Sequence, residues 1–297
     1  MMRWLVLFVL IAGIAGCNST RSPTQTASAP SEPFFTQAVP TAPRTVSARA
    51  YAAIVVDARN GKVLHEDQAE SLRYPASLTK MMTLYLLFEE LEAGRLSRSS
   101  PLQVSAEAAS RPPAKIGVKA GTPISVDTAI RALAVRSAND VAAVIAENIA
   151  GSEEAFARRM TQKARALGMR NTVFKNASGL PDTEQYTTAR DIAILGASLN
   201  QRFPSYFRYF STRSFTYNGR TWKNTNKLLT KVRGMNGIKT GYIRLSGFNL
   251  CASVNRDGRH VIAVVFGGRS GSARNAQMEA LINEYMPKAS RAGLFNF

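Results

Sequence analysis

Histidine and cysteine are nearly missing from this chain of 297 residues, which carries two of each. Two cysteines build no disulfide framework, and a Ser-His-Asp triad or a His-rich zinc site would have to be made from His65 or His260. Both histidines fall in strand or turn contexts, where a hydrogen-bonded structural role is the simpler reading. No G-x-G-x-x-G, no phosphate loop and no zinc-ligand spacing occurs, so neither a metal nor a cofactor is expected. Acidic residues are also scarce, 20 against 38 Lys and Arg, for a formal charge of +18. Such a balance suits nucleic acid or an anionic cell envelope. The basic residues are dispersed and no recognition motif accompanies them, so nucleic acid is not the expected partner. The longest apolar run at the start of the chain, Leu5 to Ala15, is too short for a comfortable membrane span.

That run follows Met1-Met2-Arg3-Trp4 and ends at Gly16-Cys17, the layout of an export signal over residues 1–16. Ile14-Ala15-Gly16-Cys17 resembles a bacterial lipobox, which implies that Cys17 is lipidated and anchors the mature chain to a membrane; a conventional signal peptide cut nearby is the alternative. Asn18, where an Asp would signal retention, implies the periplasmic face of the outer membrane. Residues 17–49 are rich in Ser, Thr, Pro and Ala and bury no core, so they read as a disordered tether. Cys251 then stands alone in an apolar strand and reads as an inert core thiol.

The remainder, 50–297, is expected to form a single catalytic domain. A strand over 51–57 turns at Asn60-Gly61 and returns over 62–66. Met81 to Leu91 is apolar nearly all round, as in a helix buried in the middle of a domain, and Gly94 stops it. Helices are expected over 125–134, 137–150, 153–167 and 189–200, and again over 273–285. Late strands flank Asn218-Gly219 and Asp257-Gly258. An early hairpin, a long helical insert and late strands predict an α/β (α+β) antiparallel sheet flanked by helices, with a helical subdomain.

Ser77 and Lys80 are spaced to meet on one helical face, a hydroxyl beside an amine in Tyr74-Pro75-Ala76-Ser77-Leu78-Thr79-Lys80. Alone, this pattern also fits a Ser at a helix start followed by a solvated Lys. Ser137-Ala138-Asn139 comes 60 residues after Ser77, and Lys239-Thr240-Gly241 another 102 on. S-x-N recurs at Ser198 and Ser253, but K-T-G occurs once, and the ordered trio is far more specific than its parts.

With these three motifs the chain, from about Ala50 to the C-terminal helix, resembles the penicillin-recognising serine peptidases, above all the low-molecular-mass penicillin-binding proteins that are D-alanyl-D-alanine carboxypeptidases. Asp140 and the stretch Phe174 to Pro181 belong to the likeness. It implies a β-lactamase-like fold with a five-stranded sheet, action on peptidoglycan stem peptides in the periplasm, and acylation by β-lactam antibiotics. Ser77 would be the nucleophile and Lys80, once neutral, its base, unless Lys80 stays charged and only orients Ser77. Ser137 would relay a proton to the leaving amine and Asn139 would hold the substrate amide. Lys239 and Thr240 would lie on an edge strand that pairs with substrate, and Gly241 would let that backbone approach. The backbone N–H groups of Ser77 and Tyr242 would form the oxyanion hole, and Arg274 would meet the terminal carboxylate.

The Glu-x-x-Leu-Asn element that deacylates class A β-lactamases has its nearest echo at Gly196 to Asn200, with Gly in place of Glu, so penicillin should be released slowly. A D,D-endopeptidase would share all three motifs, and the second β-rich domain usual in the carboxypeptidases is not seen after the last helix, which leaves the bond preference open. A non-catalytic, lipid-anchored envelope-binding protein is the third reading.

Overall fold

Alternation of apolar and polar residues is lost in the late strands, where Val261 to Phe266 are all buried, and this requires a sheet covered on both faces. The computed structural model describes residues 45–291. Cys17, the expected signal peptide and most of the expected tether lie outside the described residues. The tether's last part is tied to the body, with Ser47 N donating to Leu72 O and Arg49 N to Leu245 O.

The chain opens with the hairpin of β1 (Ala52–Asp57) and β2 (Val63–Asp67), turned by Gly61 at φ +74. A 3-10 turn over Ala76–Thr79 leads into α1 (Lys80–Glu92). Short elements follow: β3 (Pro101–Leu102), α2 (Ala106–Ser110), β4 (Ile124–Ser125) and α3 (Val126–Arg131). A π-helical turn, Ala132–Arg136, precedes α4 (Asn139–Ala150) and α5 (Glu153–Ala166). Next come α6 (Ala189–Arg202), α7 (Pro204–Phe207), β5 (Ser214–Tyr217) and β6 (Arg220–Lys223). The chain closes with β7 (Met235–Ile243), β8 (Gly247–Arg256), β9 (Arg259–Gly268) and α8 (Gly271–Tyr285).

Local chemistry accounts for many of these boundaries. Ser152, Thr188 and Ser270 cap α5, α6 and α8 by accepting from Ala155 N, Asp191 N and Ala273 N. Asn218-Gly219 and Asp257-Gly258 all take positive φ, the geometry of two-residue hairpin turns.

The main sheet has five strands, antiparallel throughout as expected, in the order β2-β1-β9-β8-β7, so that the first strand pairs with the last. Ile54, Val56, Ile262 and Val264 face the core built on α1, α4 and α6. Ala53, Val55, Leu250 and Val265 face α8 through Met278 and Ile282. Gly196 lets α6 press on the sheet, since a Cβ there would stand 3.1–3.2 Å from Ile238, Cys251 and Ile262.

Three expectations need correction. Ser77 lies in the 3-10 turn that precedes α1, outside the α-helix proper. The helix expected from Ser137 begins at Asn139, because Ser137 takes a left-handed φ of +62 between the π turn and α4. β5 and β6 form a separate two-stranded sheet, apart from the main one.

Candidate active site

Ser77 is presented by a strained turn. Ala76 before it has φ +49, a conformation that a residue with a Cβ seldom adopts. The turn is held from three sides. Gly179, at φ +80, lies so close that a Cβ on it would be 1.8 Å from Ala76 O. Gly241 of β7 approaches from another side, where a Cβ would meet Pro75 O and Ser77 N at 3.1 Å. From β8, the buried Asn249 donates through Nδ2 to Tyr74 O at 3.2 Å and accepts at Oδ1 from Gly267 N at 3.1 Å.

Lys80 is fully buried below this turn. Its Nζ donates to Asn139 Oδ1 at 2.7 Å and to Ser178 O at 2.5 Å, and stands 3.4 Å from Ser77 Oγ. Burial holds its proton affinity well below the ordinary lysine range; Lys239 pushes the same way, while Glu153 and Asp140 oppose them. A neutral amine has two N–H bonds and one lone pair. Asn139 and Ser178 accept two N–H bonds, so loss of the third proton, the one directed at Ser77 Oγ, leaves a lone pair facing the Ser77 hydroxyl.

Asn139 bonds within the protein through both ends of its amide, Oδ1 to Lys80 and Nδ2 to Pro112 O at 2.8 Å. It therefore holds Lys80, while its second N–H and second oxygen lone pair stay available for the substrate amide expected from the sequence. Asp140 builds the neighbouring loop by accepting from the backbone of Gly117 at 2.9 Å and of Ile116 and Val118 at longer range. The stretch 174–181 forms the rear wall, with Ser178 O on Lys80 and Ala177 O on Thr83 Oγ1.

Ser77, Ser137, Thr240, Gly241, Tyr242 and Arg274 line one cleft of about 380 Å³. Ser137 Oγ is buried there without a hydrogen-bond partner. Thr240 Oγ1 donates to Thr225 Oγ1 at 2.8 Å. Lys239 lies beneath β7, an edge strand, with Nζ donating to Thr240 O at 2.9 Å; burial and the Arg274 guanidinium pull it down to about 7. Arg274 donates to Asn249 O at 2.8 Å and is lowered by burial to about 10. Tyr242 is exposed and its ring leans on Phe248, 4.3 Å between centroids.

The sequence model of the D-alanyl-D-alanine carboxypeptidases, peptidase family S11, matches residues 36–270. The chain belongs to this family. It is 34% identical to D-alanyl-D-alanine carboxypeptidase DacF of Bacillus subtilis over 239 residues, 79% of this chain and 61% of that one. With DacA of Escherichia coli K12 the figure is 35% over 236 residues, 77% and 59% of the two chains. The chain thus spans about 60% of the length of these curated relatives. Among solved structures it is similar to DacD of Francisella tularensis, with a TM-score of 0.78 at 29% identity over 86% of this chain and 75% of that one. It also resembles penicillin-binding protein D2 of Listeria monocytogenes in its ampicillin-bound form, with a TM-score of 0.69 at 29% identity over 81% and 98% of the chains.

Several cleft residues of this S11 family member were not legible in its motifs. Arg136, Thr225, Lys227 and Phe248 also line the cleft, and Asn249 supports it from below. Asp140 could have been found, since it completes Ser137-Ala138-Asn139-Asp140. Among the described residues none that lines the cleft is acidic. The Gly196 to Asn200 echo lies on α6 against the sheet, away from the cleft lining. His260 pairs with Ser253 Oγ at 2.8 Å, His65 stacks on Tyr285 with centroids 4.8 Å apart, and Cys251 is a buried free thiol whose proton affinity burial raises.

Proposed function

We propose that the protein is a serine D-alanyl-D-alanine carboxypeptidase that removes the terminal D-alanine from peptidoglycan stem peptides and is acylated by β-lactams. The observation that supports it most directly is the buried Lys80 amine, held by Asn139 and Ser178 with its remaining position directed at Ser77 Oγ, where loss of a proton leaves a lone pair.

Lys80 takes the Ser77 proton as Oγ attacks the carbonyl carbon of the penultimate D-alanine. The 3.4 Å separation is loose, as in many unliganded sites, and shortens when substrate arrives. The oxyanion is met by the N–H groups of Ser77 and Tyr242. Ser137 Oγ, unpartnered in the cleft, relays to the D-alanine nitrogen the proton that Lys80 took from Ser77, so that Lys80 is neutral again once the C–N bond has broken. Water then attacks the ester and gives a proton to the neutral Lys80, which returns it to Ser77 Oγ as the ester bond breaks. The substrate carboxylate is held among Thr240, Arg274 and the Lys239 ammonium beneath them, and its chain pairs with edge strand β7. Asn139 keeps Lys80 in position. With no acidic side chain among the described residues of the cleft lining to activate water, a penicilloyl ester turns over slowly. The likeness to a penicillin-binding protein solved with ampicillin supports β-lactam acylation.

The same reading places the enzyme in the bacterial periplasm, anchored through lipid on Cys17 at the outer membrane. Its support is the sequence Ile14-Ala15-Gly16-Cys17.

Full-length protein and a Ser77→Ala control are incubated with monomeric and cross-linked muropeptides, and products are read by mass spectrometry. Loss of one terminal D-alanine is the expected product. Cleaved cross-links alone would make the enzyme an endopeptidase, and absence of a covalent penicillin adduct overturns the mechanism.

A further inference from the structure

Between Asp191 and Asp257 the chain has no Asp or Glu, yet eleven Lys and Arg. Over so long a stretch, charge of one sign creates a local potential instead of a mixed, self-neutralised surface. Arg233 is ion-paired with Asp257 at the edge of this stretch. Arg213, Lys223, Lys227 and Lys231 converge instead on a single groove of about 560 Å³, and among the described residues none of them meets a carboxylate. All four are exposed.

The groove is built in advance by two buried or half-buried amides. Asn224 Nδ2 donates to Thr212 O at 2.9 Å, and Asn224 N donates to Arg213 O at 2.8 Å. Asn226 accepts from Leu228 N at 3.1 Å and donates to Gly237 O on β7 at 3.3 Å. The chain carrying Lys223 and Lys227 is thereby pinned both to the start of β5 and to the strand that bears Lys239 and Thr240. Lys227 lines this groove and the reaction cleft alike. The two cavities therefore adjoin at Lys227.

We propose that this groove extends the reaction cleft and binds free carboxylates of the stem peptide away from its D-alanyl-D-alanine end. The inference rests on the carboxypeptidase reading and adds a specificity determinant to it. Stem peptides carry such carboxylates on their γ-linked glutamate and on their diamino acid. Exposed lysines and an arginine reward that charge modestly per contact, and they act together along an extended ligand. An anionic envelope polymer would suit the charge, but continuity with the cleft at Lys227 favours the substrate.

The test uses full-length protein and the triple variant Arg213→Gln/Lys223→Gln/Lys231→Gln, whose changes are on the surface. Three substrates are compared: diacetyl-L-lysyl-D-alanyl-D-alanine, a disaccharide pentapeptide with its upstream carboxylates free, and the same muropeptide with them amidated. In the variant, the ratio of kcat/KM for the free-acid muropeptide to that for the short tripeptide is expected to fall about tenfold, through KM, the sum expected of three exposed charge contacts. The corresponding ratio for the amidated muropeptide should not fall. An unchanged ratio, or an equal fall for both muropeptides, overturns the proposal. Calorimetric binding to Ser77→Ala protein tests the groove apart from turnover: equal Kd for free-acid and amidated muropeptides overturns it. Inorganic polyphosphate bound in preference, with no discrimination between the muropeptides, also overturns it and assigns the groove to envelope phosphate. Wild-type protein that cleaves none of the three substrates and forms no penicillin adduct instead refutes the underlying reading.

Discussion

Asn139 holds Lys80: its side-chain oxygen accepts from Nζ at 2.7 Å, against 3.4 Å from Nζ to Ser77 Oγ. A neutral acceptor here orients the amine without pinning a charge on it. A carboxylate at the same place would stabilise the ammonium and remove the base. Asn139→Asp protein is therefore expected to acylate with fluorescent penicillin about 100-fold more slowly near pH 7, the scale of a lost general base, and to recover as pH rises. Acylation at the wild-type rate and pH profile would exclude Lys80 as the base.

Lys239 supplies an alkaline limit. Its proton affinity, lowered by burial and Arg274 to about 7, means that the ammonium is lost as pH rises through that value. Lys80 acts in the opposite sense, becoming a competent base as its own lowered affinity is passed from below. The pH profile of kcat/KM in the free enzyme should be bell-shaped, with its alkaline limb near 7. Arginine keeps its charge through this range, so in Lys239→Arg protein that limb recedes to higher pH. A limb that stays in place assigns it to another group.

Gly179 and Ala76 are in backbone contact, and φ +80 at Gly179 is itself unfavourable for any residue with a Cβ. Gly179→Ala should destabilise the protein by roughly 1–3 kcal/mol and slow penicillin acylation by displacing the Ser77 turn. Thermal unfolding and acylation are measured together. Wild-type values in both would mean that the turn does not depend on this contact.

His260 contributes an acid sensitivity separate from catalysis. Burial lowers its folded value to about 4, with Arg59 adding to the shift, so between the ordinary histidine value and 4 the unfolded chain binds a proton that the folded chain does not. Stability from this group is complete above that window and falls as pH drops through it. Tm should decline between pH 6.5 and 4, and a His260→Gln variant, which retains a partner for Ser253, should show a shallower decline. Parallel curves would remove His260 as the cause.

For the anchor, cells expressing Cys17→Ser protein should show it leaving the membrane fraction and appearing in the soluble periplasmic extract. Retention in the membrane at the wild-type level would rule out lipid on Cys17.

Much of the fold was legible where a residue dictates its own backbone. Gly61 after Asn60, Asn218-Gly219 and Asp257-Gly258 mark turns because these residues tolerate positive φ. The candidate site was legible through side-chain chemistry at fixed spacing, Ser77 with Lys80 above all. Ser137 was misplaced into a helix because a serine carries no local sign that the chain around it must go left-handed. Lys227 and Thr225 were unreadable for another reason: they lie on a segment whose place at the cleft depends on Asn226 reaching β7.

The sequence by itself determined the participants: one serine with a lysine three residues on, one Lys-Thr-Gly strand, and only two histidines, both in strand or turn contexts. Only the tertiary structure decided the state of those groups. Whether Lys80 is a solvated cation or a buried base depends on Ser178 and Asn139 taking its two N–H bonds and on the core excluding water, and both arise from residues 59 and 98 positions away. Proton affinity is set by solvation and neighbouring charge, so it is fixed when distant segments pack together.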